Sequence, residues 1–166
     1  NFVSTFTLVG EPDGLRSLGY LAQDTAGNRE VVKLATVAVD NTAPLTLLMA
    51  DGPNGFNAQN HLVVSWRTLL ALTAQDTLTG GVASGLKETF YRLQNDIDFS
   101  IFSASFTLPL PQGTKTLAFY SRDNLGNAEV IESSVVVLDV ATPQISFLSP
   151  MPGAVFAAGR HAVSIG

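Results

Sequence analysis

A chain of 166 residues, 46% of them hydrophobic, can bury more than one small core, and its 14% charged fraction lies well below the ~25% of an average globular protein. Ser, Thr, Asn, Gln and Gly fill the polar positions instead, which excludes a self-repelling disordered chain and suits strands with hydroxyl-rich outer faces. Net charge is −5 and the nine Lys and Arg are scattered singly, so no basic stripe exists to meet nucleic acid.

No apolar run approaches the roughly 18 residues of a membrane span, and the absence of cysteine favours export over the cytosol. The chain begins without Met, inside a strand pattern, and reads as a fragment of a longer polypeptide.

Residues 1–44 read as the C-terminal part of a domain. Phe6, Leu8 and Val9 end one strand, and Glu11-Pro12-Asp13-Gly14 forms a turn. Residues 15–23 alternate, with Leu18, Tyr20 and Ala22 on one face. After a turn at 24–28, residues 31–39 alternate again and are rich in β-branched side chains. Asp40-Asn41-Thr42-Ala43-Pro44 then makes a short stiff linker, because proline donates nothing to a ladder and restrains the residue before it.

Residues 45–143 read as one complete unit. Strands are predicted over 45–49, 61–66, 68–74, 87–93, 99–108, 115–122 and 130–138, with 61–74 as two strands or one bent one. Gly/Pro/Asn-rich loops fill 51–60 and 76–85, and turns fall at 94–96 and 109–113. Residues 144–166 open a third unit, with a strand at 145–147, a turn at 150–153 and a further strand starting near 161. Seven or so short strands at about ten-residue spacing, with no helical period, indicate an all-β β-sandwich; with the repeat and the family resemblance given below, the expected fold is tandem immunoglobulin-like β-sandwiches.

The tandem reading rests on a repeat. At a single offset that carries Gly14 onto Gly113, ten of the 31 positions from 14 to 44 recur: Gly14, Leu18, Asp24, Gly27, Asn28, Glu30, Val31, Val37, Asp40 and Pro44. A period near 100 residues is one small domain, longer than a solenoid repeat.

The final hairpin "GTKTLAFYSRDNLGNAEV", its copy "GLRSLGYLAQDTAGNREV" and the linkers "VDNTAP" and "LDVATP" resemble the bacterial immunoglobulin-like (Big-type) repeats of large secreted and cell-surface proteins. The stretch "LTAQDTLTGGVASGLKETFYRLQND" looks like the same family's middle strands, and "SPMPGAVFAAG" like the opening of another repeat. Ala141 and Thr142 depart from the family's Thr-Ala order. The resemblance implies an extracellular or surface location and a non-enzymatic structural or adhesive role as stalk, adhesin or filament. The implied partners are neighbouring repeats, other copies in a filament or layer, or a host or glycan ligand. A carbohydrate- or ligand-binding accessory module of a secreted enzyme is the alternative.

No catalytic set is visible. His61 and His161 fall in different units and read as structural or solvent-exposed, and HExxH, GxSxG and a phosphate loop are absent. Glu129 and Glu132, three apart on a presumed strand, point to opposite faces and make no acid–base pair. Among the aromatics, Trp66 reads as a strand residue in or at the edge of the core, ahead of a sugar-stacking one.

Aspartate is the one constellation with chemical content. In an immunoglobulin-type sandwich the entrance linker, the second–third strand loop and the final turn lie at one end. That brings Asp40, Asp76 and Asp123 together at the junction of the first two units. Asp139 is the entrance equivalent for the third unit, and Asp24 the turn equivalent for the first. Three carboxylates in loops rich in Asn and backbone carbonyls suit calcium. Plain turn chemistry, with Asx side chains bonding nearby amides, accounts for the same residues without a metal. In some giant adhesins calcium stiffens joints between related repeats, and the resemblance implies that role here.

Overall fold

The computed structural model describes residues 7–149 together with 153, 155, 164 and 165. Twelve strands and no helix lie among them. In chain order these are β1 (Gly14–Tyr20), β2 (Lys33–Val39), β3 (Leu45–Asp51), β4 (Asn54–Phe56), β5 (Leu62–Val64), β6 (Leu69–Gln75), β7 (Leu86–Leu93), β8 (Ser100–Ile101), β9 (Gly113–Asp123), β10 (Glu132–Leu138), β11 (Phe147–Ser149) and β12 (Ser164–Ile165).

Two sheets face one another across the middle of the chain. One has six strands in the order β4-β5-β10-β9-β7-β8, with β5 parallel to β10 and every other pair antiparallel. The other pairs β3 with β6 and gains a short third segment where Leu70 bridges Phe106. Period-two alternation decides which side chains meet in between. On β9, Leu117 and Phe119 point inward, while Tyr120 and Arg122 lie on the outer face. Leu70 and Leu72 of β6 close on Leu117, Phe119, Val136 and Leu138, and four of these six are at most 1% exposed. Each such buried Leu or Val stabilises the unit by about 1.5–3 kcal/mol.

The repeated sequence builds the same hairpin twice. β1 pairs with β2 from Gly14↔Val39 to Tyr20↔Lys33, and β9 pairs with β10 from Gly113↔Leu138 to Phe119↔Glu132. The turns match as well. Asp24 and Asp123 each give an N–H to the carbonyl of the Asn four residues on, and each accepts that residue's amide N–H on its carboxylate. Gly27 and Gly126 hold φ of +89° and +94°, a left-handed bend that suits glycine. What differs is the covering. Phe119 is 2% exposed, whereas its counterpart Tyr20 is 53% exposed.

Several expectations need correction. Leu8 and Val9 lie in no strand, and Phe6 is outside the described residues. The 51–60 loop contains a short strand, β4, because Asn54–Phe56 finds a partner edge in β5. Residues 99–108 form only β8 and the single bridge at Phe106. The strand expected at 145–147 runs over Phe147–Ser149, and its partner is described only at Ser164–Ile165. Trp66 is neither in a strand nor in the core: it sits in a turn at 58% exposure with Arg67 stacked on its ring. Thr68 gives its N–H to Ser65 O there, so the chain reverses between the two sheets and Trp66 rides the corner.

Candidate metal centre

Asp40, Asp76 and Asp123 come from three separate loops at one end of the sandwich. Asp40 follows β2 and starts the linker; one carboxylate oxygen accepts Thr42 N–H at 3.1 Å and the other Ser84 N–H at 2.6 Å. Asp123 closes β9, and its Oδ1 gathers the N–H groups of Leu125, Gly126 and Asn127 at 2.9, 2.6 and 2.8 Å. Asn127 Nδ2 then clamps two of the loops, donating to Asp123 Oδ2 at 2.7 Å and to the Asp40 carbonyl at 3.0 Å. Asp76 follows β6 and accepts Gly85 N–H on Oδ2 at 2.6 Å.

One carboxylate oxygen from each of the three lies within 4.8 Å of the others. Asp40 and Asp123 are buried. Among the described residues the ion pairs are Arg16–Glu11, Lys33–Glu30 and Arg122–Glu88, so no cation answers these charges. At such a separation each pair of like charges repels by roughly 3 kcal/mol in a medium of effective dielectric ~20. Moreover, Asp76 Oδ1 is buried and accepts no hydrogen bond, and neither does the buried Ser84 hydroxyl make one of normal geometry. Buried acceptors without partners are costly, and a bound cation is one of the few things that satisfies them. Oxygen-only donors without His or Cys suit a hard ion such as calcium and not zinc.

Burial alone would raise the Asp123 carboxyl, but the Asn127 side chain, the nearby Ser84 hydroxyl and the loop amides outweigh it and hold the carboxyl below its ordinary value. Asp24, in the equivalent turn, is likewise lowered, chiefly by the Asn28 side chain, but it is exposed and joins no carboxylate cluster among the described residues. Asp139 is exposed too and accepts Ala141 N–H at 2.9 Å, as Asp40 does with Thr42. His61 is half-buried beside β5, its N–H on Asn57 Oδ1; His161 lies outside the described residues.

Residues 40–42 have a second fastening that the repeat could not reveal. Asp13 Oδ1 accepts Asn41 N–H and Nδ2 at 2.8 and 2.7 Å, and Oδ2 accepts the Thr42 hydroxyl at 2.5 Å. The counterparts of Asp13, Asn41 and Thr42 are Gln112, Val140 and Ala141, so no recurrence marked them. Gly80, at φ +60°, lies so close that a Cβ would overlap the Asp13 carbonyl. Thr42 first, and Asn41 with it, holds the Asp13 carboxyl below 3.8. A carboxyl lowered by folding contributes stability above its unfolded value and loses it as pH falls through the folded one. The clasp therefore stays closed through the ordinary carboxylate range and releases only below it, read by hydrogen exchange of the Asn41 amide. Release within that range, or the same profile in Asp13→Asn, would contradict the assignment.

Glu129 is a second residue that the strand reading misplaced. It precedes β10, and its carboxylate takes Ser121 N–H at 2.6 Å, Thr46 N–H at 3.0 Å and the Thr46 hydroxyl. Thr46 and Ser121 are fully buried, and their hydroxyls meet at 2.6 Å, with Thr89 joining at 2.8 Å. This polar seam ties β3 to β9 and β7 across the two sheets. Its signal in the sequence was the recurrence of Glu30 as Glu129. Ser84 falls within the Ser-Gly of the stretch that resembles the family's middle strands, without a role assigned to it.

The fold and site together define an all-β chain of sandwich type with a carboxylate cluster at its entrance. No protein-family model and no curated protein sequence matches it.

Proposed function

We propose that this chain is a non-enzymatic spacer segment of an exported repeat protein, a stalk, adhesin or filament of tandem immunoglobulin-like units, with calcium bound at the joint between residues 1–44 and 45–143. The convergence of Asp40, Asp76 and Asp123 within 4.8 Å, with Asp76 Oδ1 buried and unpartnered, carries this reading. An antiparallel β10-β9-β7-β8 run facing β3-β6 supports the sandwich architecture that the immunoglobulin-like reading needs. The doubled hairpin supports the tandem reading. In mechanical terms, Asp40 belongs to the linker and Asp76 and Asp123 to the unit that follows. A cation shared by all three resists bending of the joint, and the Asp13 clasp and Gly80 contact add a second point of attachment.

The chain has no cysteine, so spin labels placed at Val31→Cys and Ile97→Cys, both exposed, report the angle between units cleanly. Calcium should narrow the distance distribution and chelator broaden it. Gly80→Val, which pushes a side chain into the Asp13 backbone, should leave it broad in both conditions. A distribution indifferent to calcium would count against a metal-stiffened joint.

A further inference from the structure

We propose that the outer face of the six-stranded sheet holds a binding cleft for a carboxylated sugar unit of a polysaccharide, with Arg92 seating the carboxylate. The proposal concerns the opposite kind of surface from the joint and does not depend on a metal there.

A ladder of rings and guanidiniums crosses this face. Arg122 lies 5.1 Å over the Phe90 ring, Phe90 stacks on Tyr120 at 4.8 Å, Phe99 meets Tyr120 edge-on at 5.0 Å, and Arg92 lies 4.7 Å over Phe99. The two arginines that end it are not equivalent. Arg122 is consumed, since Glu88, on the neighbouring strand, takes its Nε at 3.0 Å and its Nη2 at 2.5 Å. Arg92 faces Ala118 across the strands instead, and Ala118 offers no charge. Among the described residues no carboxylate pairs with Arg92, and its one hydrogen bond, to the Ile97 carbonyl, is a long 3.4 Å. Stacking on Phe99 therefore fixes the guanidinium plane while leaving most of its N–H fork free, the geometry that receives a carboxylate in two parallel bonds.

A cleft opens beside that fork. Ala118 forms its floor, Arg92 and Ser133 stand on either side as its cross-strand neighbours, and Gln94, Asp96 and Thr116 complete it around a volume of about 300 Å³. That is the lower end of small-ligand sites. A small residue between larger ones makes the depression, and hydrogen-bonding side chains share its lining with apolar surface from Leu93, Ala118 and the side-chain stems. Hydroxyls of Thr116 and Ser133 and the Gln94 amide both donate and accept. The Asp96 carboxylate, which holds Leu93 N–H at 3.0 Å through one oxygen, accepts. One cation, one acceptor and several hydroxyl-type partners around a shallow pit match a sugar bearing both hydroxyls and a carboxylate. A wholly apolar ligand would leave all of them unpaired, and a purely anionic one would face Asp96.

The test is an NMR titration of the full chain with trigalacturonic acid in excess chelator, so that calcium bridging by the uronate cannot mimic binding. Amides of Arg92, Ala118 and Ser133 should shift with saturation. Arg92→Gln should weaken binding at least tenfold, and Ser133→Tyr, an exposed outer-face change that fills the cleft, should do the same with an unchanged melting temperature. Arg29→Gln, the same charge change outside the cleft, should bind as the parent does. The proposal is overturned if the parent fails to bind, if neutral maltotriose binds equally well, or if both cleft variants bind normally.

Discussion

Asp123→Ala should lower the unfolding midpoint of the middle unit steeply, while Asp24→Ala, the same change in the same turn, should barely move the chain. The two aspartates hold closely similar local hydrogen bonds. Asp123, however, is fully buried, and its removal strands the N–H groups of Leu125, Gly126 and Asn127 while releasing the Asn127 amide that reaches to Asp40. The loop amides are only partly buried, so water answers some of the loss; at about 1–3 kcal/mol for a donor that stays unpaired, a total of roughly 2–3 kcal/mol is expected, on the order of 10–20 °C in a domain of this size. Water replaces the lost partner at the exposed Asp24. Thermal unfolding followed by circular dichroism in chelator isolates this structural share from any contribution of calcium. Equal shifts for the two variants would mean that burial is not what distinguishes the turns.

Glu129→Ala should be the other large loss, about 2–4 kcal/mol, because its carboxylate answers two backbone amides and a hydroxyl in the seam between the sheets. Native-state hydrogen exchange locates the effect. The amides of Thr46 and Ser121 should exchange far faster in the variant, whereas amides in the β7–β8 pairing should change only as much as global stability does. Glu30→Ala should leave the chain close to its starting stability, since Glu30 is a partly exposed group bonded to Ala22 N–H and Lys33 at the surface. Unaltered protection at Thr46 would remove Glu129 from the seam.

The hairpins were the most legible part of the sequence, and the reason is local. β9 and β10 are rich in β-branched and aromatic residues, and the Asp-x-x-Gly-Asn turn between them states its own bend through Gly126 and its own hydrogen bonds through Asp123 and Asn127. The convergence of Asp40, Asp76 and Asp123 was legible for a different reason, since each marks a loop that an immunoglobulin-type topology gathers at one end. Features set by tertiary contact were not legible. Trp66 carries a strand-like, core-like sequence signature, yet Ser65 and Thr68 turn the chain under it. Residues 99–108 read as one or two strands, but pairing is confined to Ser100–Ile101 on β7 and to Phe106 on Leu70. Ser84 belongs to a Ser-Gly pair that the family resemblance covers, but its place beside Asp40 and Asp123 comes from a loop path that composition does not specify. The Asp13 clasp escaped because reading by recurrence sees only what both copies share.

Calorimetric titration of calcium into the metal-stripped full chain tests the central claim most directly. The account predicts one site per chain, with a dissociation constant of about 10⁻⁴–10⁻³ M as in extracellular modules. Binding should be lost in Asp76→Asn, where the amide oxygen can still hold Gly85 N–H but the charge is gone. No heat of binding at millimolar calcium, or full binding by Asp76→Asn, would reduce the three aspartates to turn formers and leave the joint to the Asp13 clasp alone.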